Sequence, residues 1–180
     1  MSLKPSHLLV DPRTAPSTLS TGLLVLRVLT GGLMALHGAG KMLTPFTWMG
    51  DGASVPGFLQ FLAAAAEFFG GLAWMVGLAM PLATLGVAVT MLVGILIAHI
   101  PLGDPFIRLS ITGHTTGPGE PFGMLPTWLV LAGGRSPGGS GSSELATLYI
   151  AVSVMLLAAG PGRFSLDALV SRRIAARATA

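Results

Sequence analysis

The sequence predicts an all-α integral membrane protein, a four-helix bundle in which residues 1–180 form one transmembrane domain. Two observations support this prediction. Charged residues make up 9% of the chain and apolar residues 52%, whereas an ordinary soluble domain contains about 25% charged residues. The apolar residues are also gathered into four continuous segments. A surface with so few charges must face lipid rather than water.

The four predicted spans cover residues 21–42, 58–80, 82–100 and 145–160. A spanning helix needs about 20 apolar residues, so the first three segments are long enough and the fourth is slightly short. Pro81 stands between the second and third spans, which predicts a tight helical hairpin with this proline at the start of the third helix.

The long connection of residues 101–143 is rich in glycine, proline and serine. Its apolar piece at 126–134 is too short to span, so we expect it to lie at the interface or to re-enter partway. Six lysines and arginines precede the first span or follow the fourth, whereas three lie in the connections after the first and third spans. This asymmetry predicts cytoplasmic termini, a cytoplasmic tail at 161–180 and an outward-facing loop at 101–143. The net charge of +3 therefore indicates topology and not a nucleic-acid partner.

The chain contains no cysteine, which excludes disulfides, thiolate metal sites and Cys-x-x-Cys redox chemistry. The candidate functional residues are instead ionisable side chains within the apolar segments. Such residues cost a few kcal/mol to insert and are functional candidates by default.

Glu67 is the strongest of these candidates, because it falls near the middle of the second predicted span. Small residues (Ala63, Gly70, Gly71) surround it at helical spacing, which predicts a closely packed face. The carboxyl group either handles protons or binds a ligand, or it makes a structural hydrogen bond across the bundle.

Three basic side chains occupy the first span. Arg27 is either an inward-facing cation that pairs with Glu67 or an arginine that extends to the cytoplasmic headgroups. His37 and Lys41 are four residues apart and share one helix face near the outer end. Either they form one wall of a polar site or Lys41 simply completes the helix C-terminus. Gly38 and Gly40 would let another helix or a ligand approach there.

Two further candidates follow from the predicted topology. His99 ends the third span and Glu144 begins the fourth, where it could be only a helix N-terminal charge. The spacing of His37 and His99 gives no support for a metal or haem site, so no metal is predicted. Under the predicted topology, five polar residues lie in the outer half of the membrane, namely His37, Lys41, Glu67, His99 and Glu144. Their convergence is typical of a small-molecule site.

Several stretches resemble those of DoxX-like proteins, which are small four-helix membrane proteins. They are RVLTGGLMALHGAGKM at residues 27–42, EFFGGLAWMVGL at 67–78, His99, ELATLYIAV at 144–152 and GPGRFSLDALV at 160–170. The last stretch is the most specific, and the Glu67-x-x-Gly-Gly piece is next. The 101–143 loop departs from the pattern because it is longer than in short members.

The resemblance implies membrane redox work, because one relative is the small subunit of a thiosulfate:quinone oxidoreductase. It implies a quinone as carrier, membrane lipid and other redox subunits as partners, and a bacterial-type inner membrane as location. Glu67 and His37 would then act catalytically, and the carrier-binding residues would be Arg27, Lys41, His99 and Glu144. A second group would be structural, namely Gly160, Pro161, Gly162, Ser165 and Asp167.

Two other functions stay open. The protein could be a non-catalytic assembly or anchoring subunit, in which the polar residues only hold the bundle together. It could also be a small transporter or a metal-handling protein, but this requires a continuous polar path. The second and third spans offer little for such a path beyond Thr84 and Thr90.

Overall fold

The computed structural model describes residues 16–50, 52–109, 128, 130–132 and 141–178. The elements are, in chain order, α1 (Ser17–Met42), α2 (Gly57–Val76), α3 (Met80–Gly94), β1 (Ile107–Leu109), β2 (Val130–Ala132), α4 (Glu144–Ala159) and α5 (Leu166–Ala178). A π-helical turn (Ile95–His99) continues α3.

Three helices of the described chain are long and apolar enough to cross a membrane, namely α1, α2 and the continuous helix Met80–His99. The helix α4 is apolar but shorter, as predicted for the fourth span. The second span ends earlier than predicted because Gly77 terminates it. Gly77 adopts the left-handed conformation at φ +69°, and its N–H donates to the carbonyls of Ala73 and Trp74.

The chain is mostly helical as predicted, but it also contains a short parallel strand pair that an all-α fold does not include. Ile107 pairs with Val130 and Leu109 with Ala132. Three residues per strand are too few to show an alternating pattern in sequence. The strand β2 falls within the 126–134 piece that we expected at the interface, and most of the 101–143 loop lies outside the described residues.

The chain divides into two compact units, one formed by residues up to 90 and from 151 onward, and one by residues 91–150. The prediction of one domain stays a prediction. In the first unit, α1 and α2 pack with their backbones in close approach. A Cβ atom on Gly31 would lie 2.6 Å from the Gly71 carbonyl oxygen, and one on Gly38 would lie 2.6 Å from the Phe68 Cα. Glycine is required at these contacts because no side chain fits between the helices.

The same contacts set the relative height of the two helices. Gly38 near the end of α1 meets Phe68 and Glu67 at the middle of α2. The first two turns of α2 therefore extend past the end of α1. The connecting segment of residues 43–56 covers these turns, since the rings of Phe46 and Phe61 stack at 5.3 Å.

The segment after α4 folds back onto this unit through backbone and capping contacts. The Ser165 hydroxyl accepts from the Ala168 N–H at 3.1 Å and so caps α5. The Asp167 carboxylate accepts from the backbone N–H groups of Ala79 and Met80 at 2.9 and 3.0 Å. Asp167 thus caps the first turn of α3 from a distant part of the chain, which agrees with the predicted structural role of this segment.

Candidate functional site

The first unit contains an ion pair between α1 and α2. The Lys41 ammonium donates to the Glu67 carboxylate, with Nζ and Oε1 2.5 Å apart. The Glu67 side chain is 1% exposed, whereas that of Lys41 is 26% exposed. The pair therefore joins a fully buried carboxylate to a cation that a ligand can reach.

Glu67 faces inward because of its position in α2. It lies at the middle of the helix, one turn from the close contacts of Gly71 with Gly31 and Ala35. Its second oxygen, Oε2, is buried and has no hydrogen-bond partner among the described residues. A carboxylate normally accepts several hydrogen bonds, so this oxygen retains capacity for a further donor.

The segment after α1 holds Lys41 from its other side. The Trp48 ring lies under the ammonium, with Nζ 4.4 Å from the ring centroid. Trp48 Nε1 donates to the Gln60 carbonyl at 2.8 Å, and the Gln60 amide accepts from the Met49 N–H at 3.1 Å and donates to the Val55 carbonyl at 2.9 Å. Gln60 therefore positions the segment that carries Trp48.

Sequence reasoning missed both Trp48 and Gln60. A signal existed for Gln60, because it precedes Glu67 by seven residues and so shares its helix face. No local pattern identifies Trp48, since its place depends on how residues 43–56 fold over α2.

His37 lies one turn before Lys41 on α1, and its side chain is exposed. Two residues four positions apart share a helix face, so His37 flanks the exposed side of the Lys41 ammonium. Glu67, by contrast, is buried between the helices.

Arg27 does not pair with Glu67, and it does not extend to headgroups. Its side chain is fully buried, with an exposed fraction of 0%. The guanidinium donates to the carbonyls of Trp74 at 3.2 Å and Phe164 at 2.6 Å. The sequence left two alternatives open for Arg27, pairing with Glu67 and extension to the headgroups. The side chain points inward as in the first alternative, but it contacts other partners because Arg27 lies level with the end of α2 and not with its middle. Arg27 therefore joins α1, α2 and the C-terminal segment.

His99 and Glu144 lie in the second unit. His99 Nδ1 and Asp104 Oδ2 are 2.9 Å apart, and the Asp104 side chain is 2% exposed. Arg108 lies on the other side of Asp104 and donates through Nε to the Gly141 carbonyl at 2.5 Å. The sequence analysis missed this cluster, although an acid five residues after a helix-ending histidine was a local signal. Glu144 is exposed in the first turn of α4, where an acid is favourable.

A groove of about 570 Å³ lies on the outer surface of the first unit, where the α1 and α2 side chains meet. Its lining side chains are apolar throughout, including Leu33, Leu36, Phe68 and Leu72. A hydrocarbon chain fits such a groove, but the groove offers no group for proton transfer or for orienting a polar ligand.

No group of three or more His, Asp or Glu side chains that could hold a metal ion occurs within the part of the chain that the structure describes. In the first unit, the candidate site consists of the Lys41–Glu67 pair with the exposed His37 beside it.

Comparison with known proteins gives one match, to a family model. The family model described as DoxX matches residues 22–100, a stretch that contains Arg27, His37, Lys41 and Glu67. No curated protein and no solved structure matches the chain. The three helices long enough to cross a membrane indicate a multi-pass membrane protein, and residues 22–100, 79 of its 180, are similar to the DoxX family.

Proposed function

We propose that this protein is a small membrane subunit of a redox assembly that binds quinone, or a similar lipid-soluble carrier, at the Lys41–Glu67 pair. The observation that carries the proposal is the asymmetry of this pair. One partner is buried, with an oxygen that meets no donor in the described part of the chain, and the other is partly exposed. A pair that served only to join two helices would gain nothing from either property.

The side chains at the pair offer the hydrogen-bond donors that the oxygens of a quinone accept from. A lysine ammonium has three N–H donors, and Glu67 uses one of them. A second can donate to a quinone oxygen on the exposed side. The exposed imidazole of His37, one turn away, can donate to the same headgroup. Trp48 restricts the ammonium to this position through its ring contact.

Reduction of a quinone to a quinol consumes two electrons and two protons. In the proposal, Glu67 and His37 pass the protons, and an electron-carrying partner subunit supplies the electrons. Because the chain contains no cysteine, it offers no thiolate for an electron-transfer centre of its own.

A specific observation supports the alternative of an assembly subunit. Lys41 and Glu67 neutralise each other's charge, with Nζ and Oε1 2.5 Å apart. The role of such a pair can be limited to fixing the contact between α1 and α2. In that case the charges matter for stability and not for binding, which separates the two functions experimentally.

Three variants make this separation, namely Glu67→Gln, Lys41→Met and the double variant. Removing one partner of a buried ion pair lowers the free energy of unfolding by about 3–5 kcal/mol. Replacing both partners by uncharged groups of similar size changes it little. The double variant should therefore regain most of the stability lost in Lys41→Met. The measurements are the apparent Tm and the binding of an added short-tailed ubiquinone, normalised to assembled protein.

If the pair binds the carrier, the double variant should be stable and should bind at least tenfold less ubiquinone than the unmodified protein. Glu67→Gln leaves the partly exposed Lys41 ammonium, and not the buried carboxylate, without its partner, so it should lose less stability than Lys41→Met. Normalised to assembled protein, it should lose proton-coupled quinone reduction in membranes that contain the partner subunits. Full ubiquinone binding by a stable double variant would reject the quinone site and leave the assembly subunit as the better explanation.

A further inference from the structure

The helix α5 lies where the chain leaves the membrane-spanning elements. Residues 160–165 alone separate it from the end of α4. Its N-terminus is fixed to the turn between α2 and α3, because Asp167 accepts from Ala79 and Met80 and its own N–H donates to the Gly77 carbonyl. That turn joins two helices that are long enough to cross a membrane. The helix therefore begins at the boundary between bilayer and water.

One face of α5 packs against the rest of the first unit, and the opposite face is exposed. Ala168 is 0% exposed, whereas Leu166, Val170 and Ile174 are 40%, 48% and 64% exposed. These three side chains recur every four residues and so form one row along the helix. Large apolar side chains in such a row are unfavourable in water, so a partner must cover them.

Basic side chains lie directly beside the apolar row. Arg173 and Arg177 are four residues apart and continue a row that begins at Leu169, and all three side chains are exposed. The row that they form neighbours the row of Leu166, Val170 and Ile174. In the described part of α5, Asp167 is the acidic residue, and it is engaged with the α2–α3 turn. The exposed face therefore combines apolar and positive groups.

We propose that this face of α5 is a binding site for anionic phospholipid headgroups. The apolar row would enter the boundary between headgroups and acyl chains, as in other interfacial amphipathic helices. Arg173 and Arg177 would extend to the phosphates, since arginine binds phosphate with two parallel hydrogen bonds. The helix is about 20 Å long, so it can contact several lipids at once.

A lipid is favoured over a protein partner by position and by charge. The helix is held at the bilayer boundary by Asp167 whether or not a partner is present. An anionic membrane surface attracts basic side chains that lie within a Debye length of it. This inference does not depend on the quinone proposal, because α5 carries none of the residues assigned to the carrier.

The test uses the full chain in lipid nanodiscs, either of phosphatidylcholine alone or of phosphatidylcholine with phosphatidylglycerol. Because the chain has no cysteine, a single cysteine at position 176 carries an environment-sensitive fluorophore without competing labels. Nitroxide-labelled lipids then report contact by quenching. We expect quenching in both kinds of disc and stronger quenching in the anionic discs.

Two adjacent arginines provide a matched pair of variants. Arg173→Gln removes a charge within the exposed face and should reduce the preference for anionic lipid on the order of fivefold. Arg172→Gln removes the same charge about 100° away around the helix, where its guanidinium donates to the Arg163 carbonyl at 3.5 Å, and should have a smaller effect. Both arginines are exposed, so both variants should fold, and gel filtration checks this.

Two results would overturn the assignment. Equal quenching in neutral and anionic discs, unchanged by Arg173→Gln, would show that lipid charge is not recognised. Absence of quenching in both discs would show that water or a protein, and not lipid, covers the face.

Discussion

Gly38 is a position at which the close contact between α1 and α2 can be tested. In Gly38→Ala, the new Cβ would lie 2.6 Å from the Phe68 Cα and 2.8 Å from the Glu67 carbonyl carbon, whereas ordinary van der Waals contact lies at 3.4–4 Å. The obstructing atoms are backbone and cannot rotate away. The last turn of α1 must therefore move from α2 by about 1 Å, since packed interiors transmit such strain.

The expected loss of stability follows from two opposing terms. Overpacking costs about 1–3 kcal/mol, and the upper end applies because the contact is with backbone. Alanine regains up to about 1 kcal/mol over glycine through its helix propensity. The net loss is about 2 kcal/mol, which lowers the apparent Tm of a chain of this size by about 4–8 °C.

Gly40→Ala is the matched control. Gly40 lies on the same helix two residues away, and a Cβ there meets no atom within 4 Å. The propensity gain then acts alone and should raise the apparent Tm by about 2–4 °C. The measurement is thermal unfolding of the purified protein in detergent. Equal Tm changes in the two variants would refute the close approach of α1 and α2 at Gly38.

Two further predictions concern Arg27 and the topology. Arg27→Lys should lower the free energy of unfolding by about 2–3 kcal/mol, because a single ammonium cannot reach the Trp74 and Phe164 carbonyls together. An unchanged apparent Tm and unchanged protease resistance of the tail would contradict this prediction. Cysteines placed singly at positions 140 and 178 should differ in labelling by a membrane-impermeant thiol reagent on intact cells, with only the loop variant labelled, because positive charge favours the cytoplasmic side. The reverse pattern would invert the orientation.

The spans could be predicted from sequence because each is a long apolar run, and their physical requirement is mainly length and composition. The inward face of Glu67 was also predictable, since small residues at helical spacing indicate close packing. Its partner was not predictable. Arg27 and Lys41 both lie along the buried side of α1, and only the relative height of α1 and α2 decides which of them reaches Glu67.

That height depends on contacts between segments distant in sequence. Gly38 against Phe68 sets it, and a sequence pattern does not state which glycine of one helix meets which residue of another. The same reason applies to Trp48, whose position under the Lys41 ammonium depends on the folding of residues 43–56. The strands β1 and β2 were missed because their pairing joins two three-residue pieces across the 101–143 loop.

The contact between Arg27 and Phe164 has a consequence for how the chain is made. The two residues are 137 positions apart, so α1 is synthesised long before one of its acceptors exists. Until the segment after α4 emerges from the ribosome, the Arg27 N–H that donates to Phe164 must be satisfied by water or by headgroups near the membrane surface, even where Trp74 already accepts from the other nitrogen. The hydrogen bonds of Arg27 are therefore complete only after that segment has been synthesised. A chain that ends before residue 164 would leave the Arg27 cation without this acceptor.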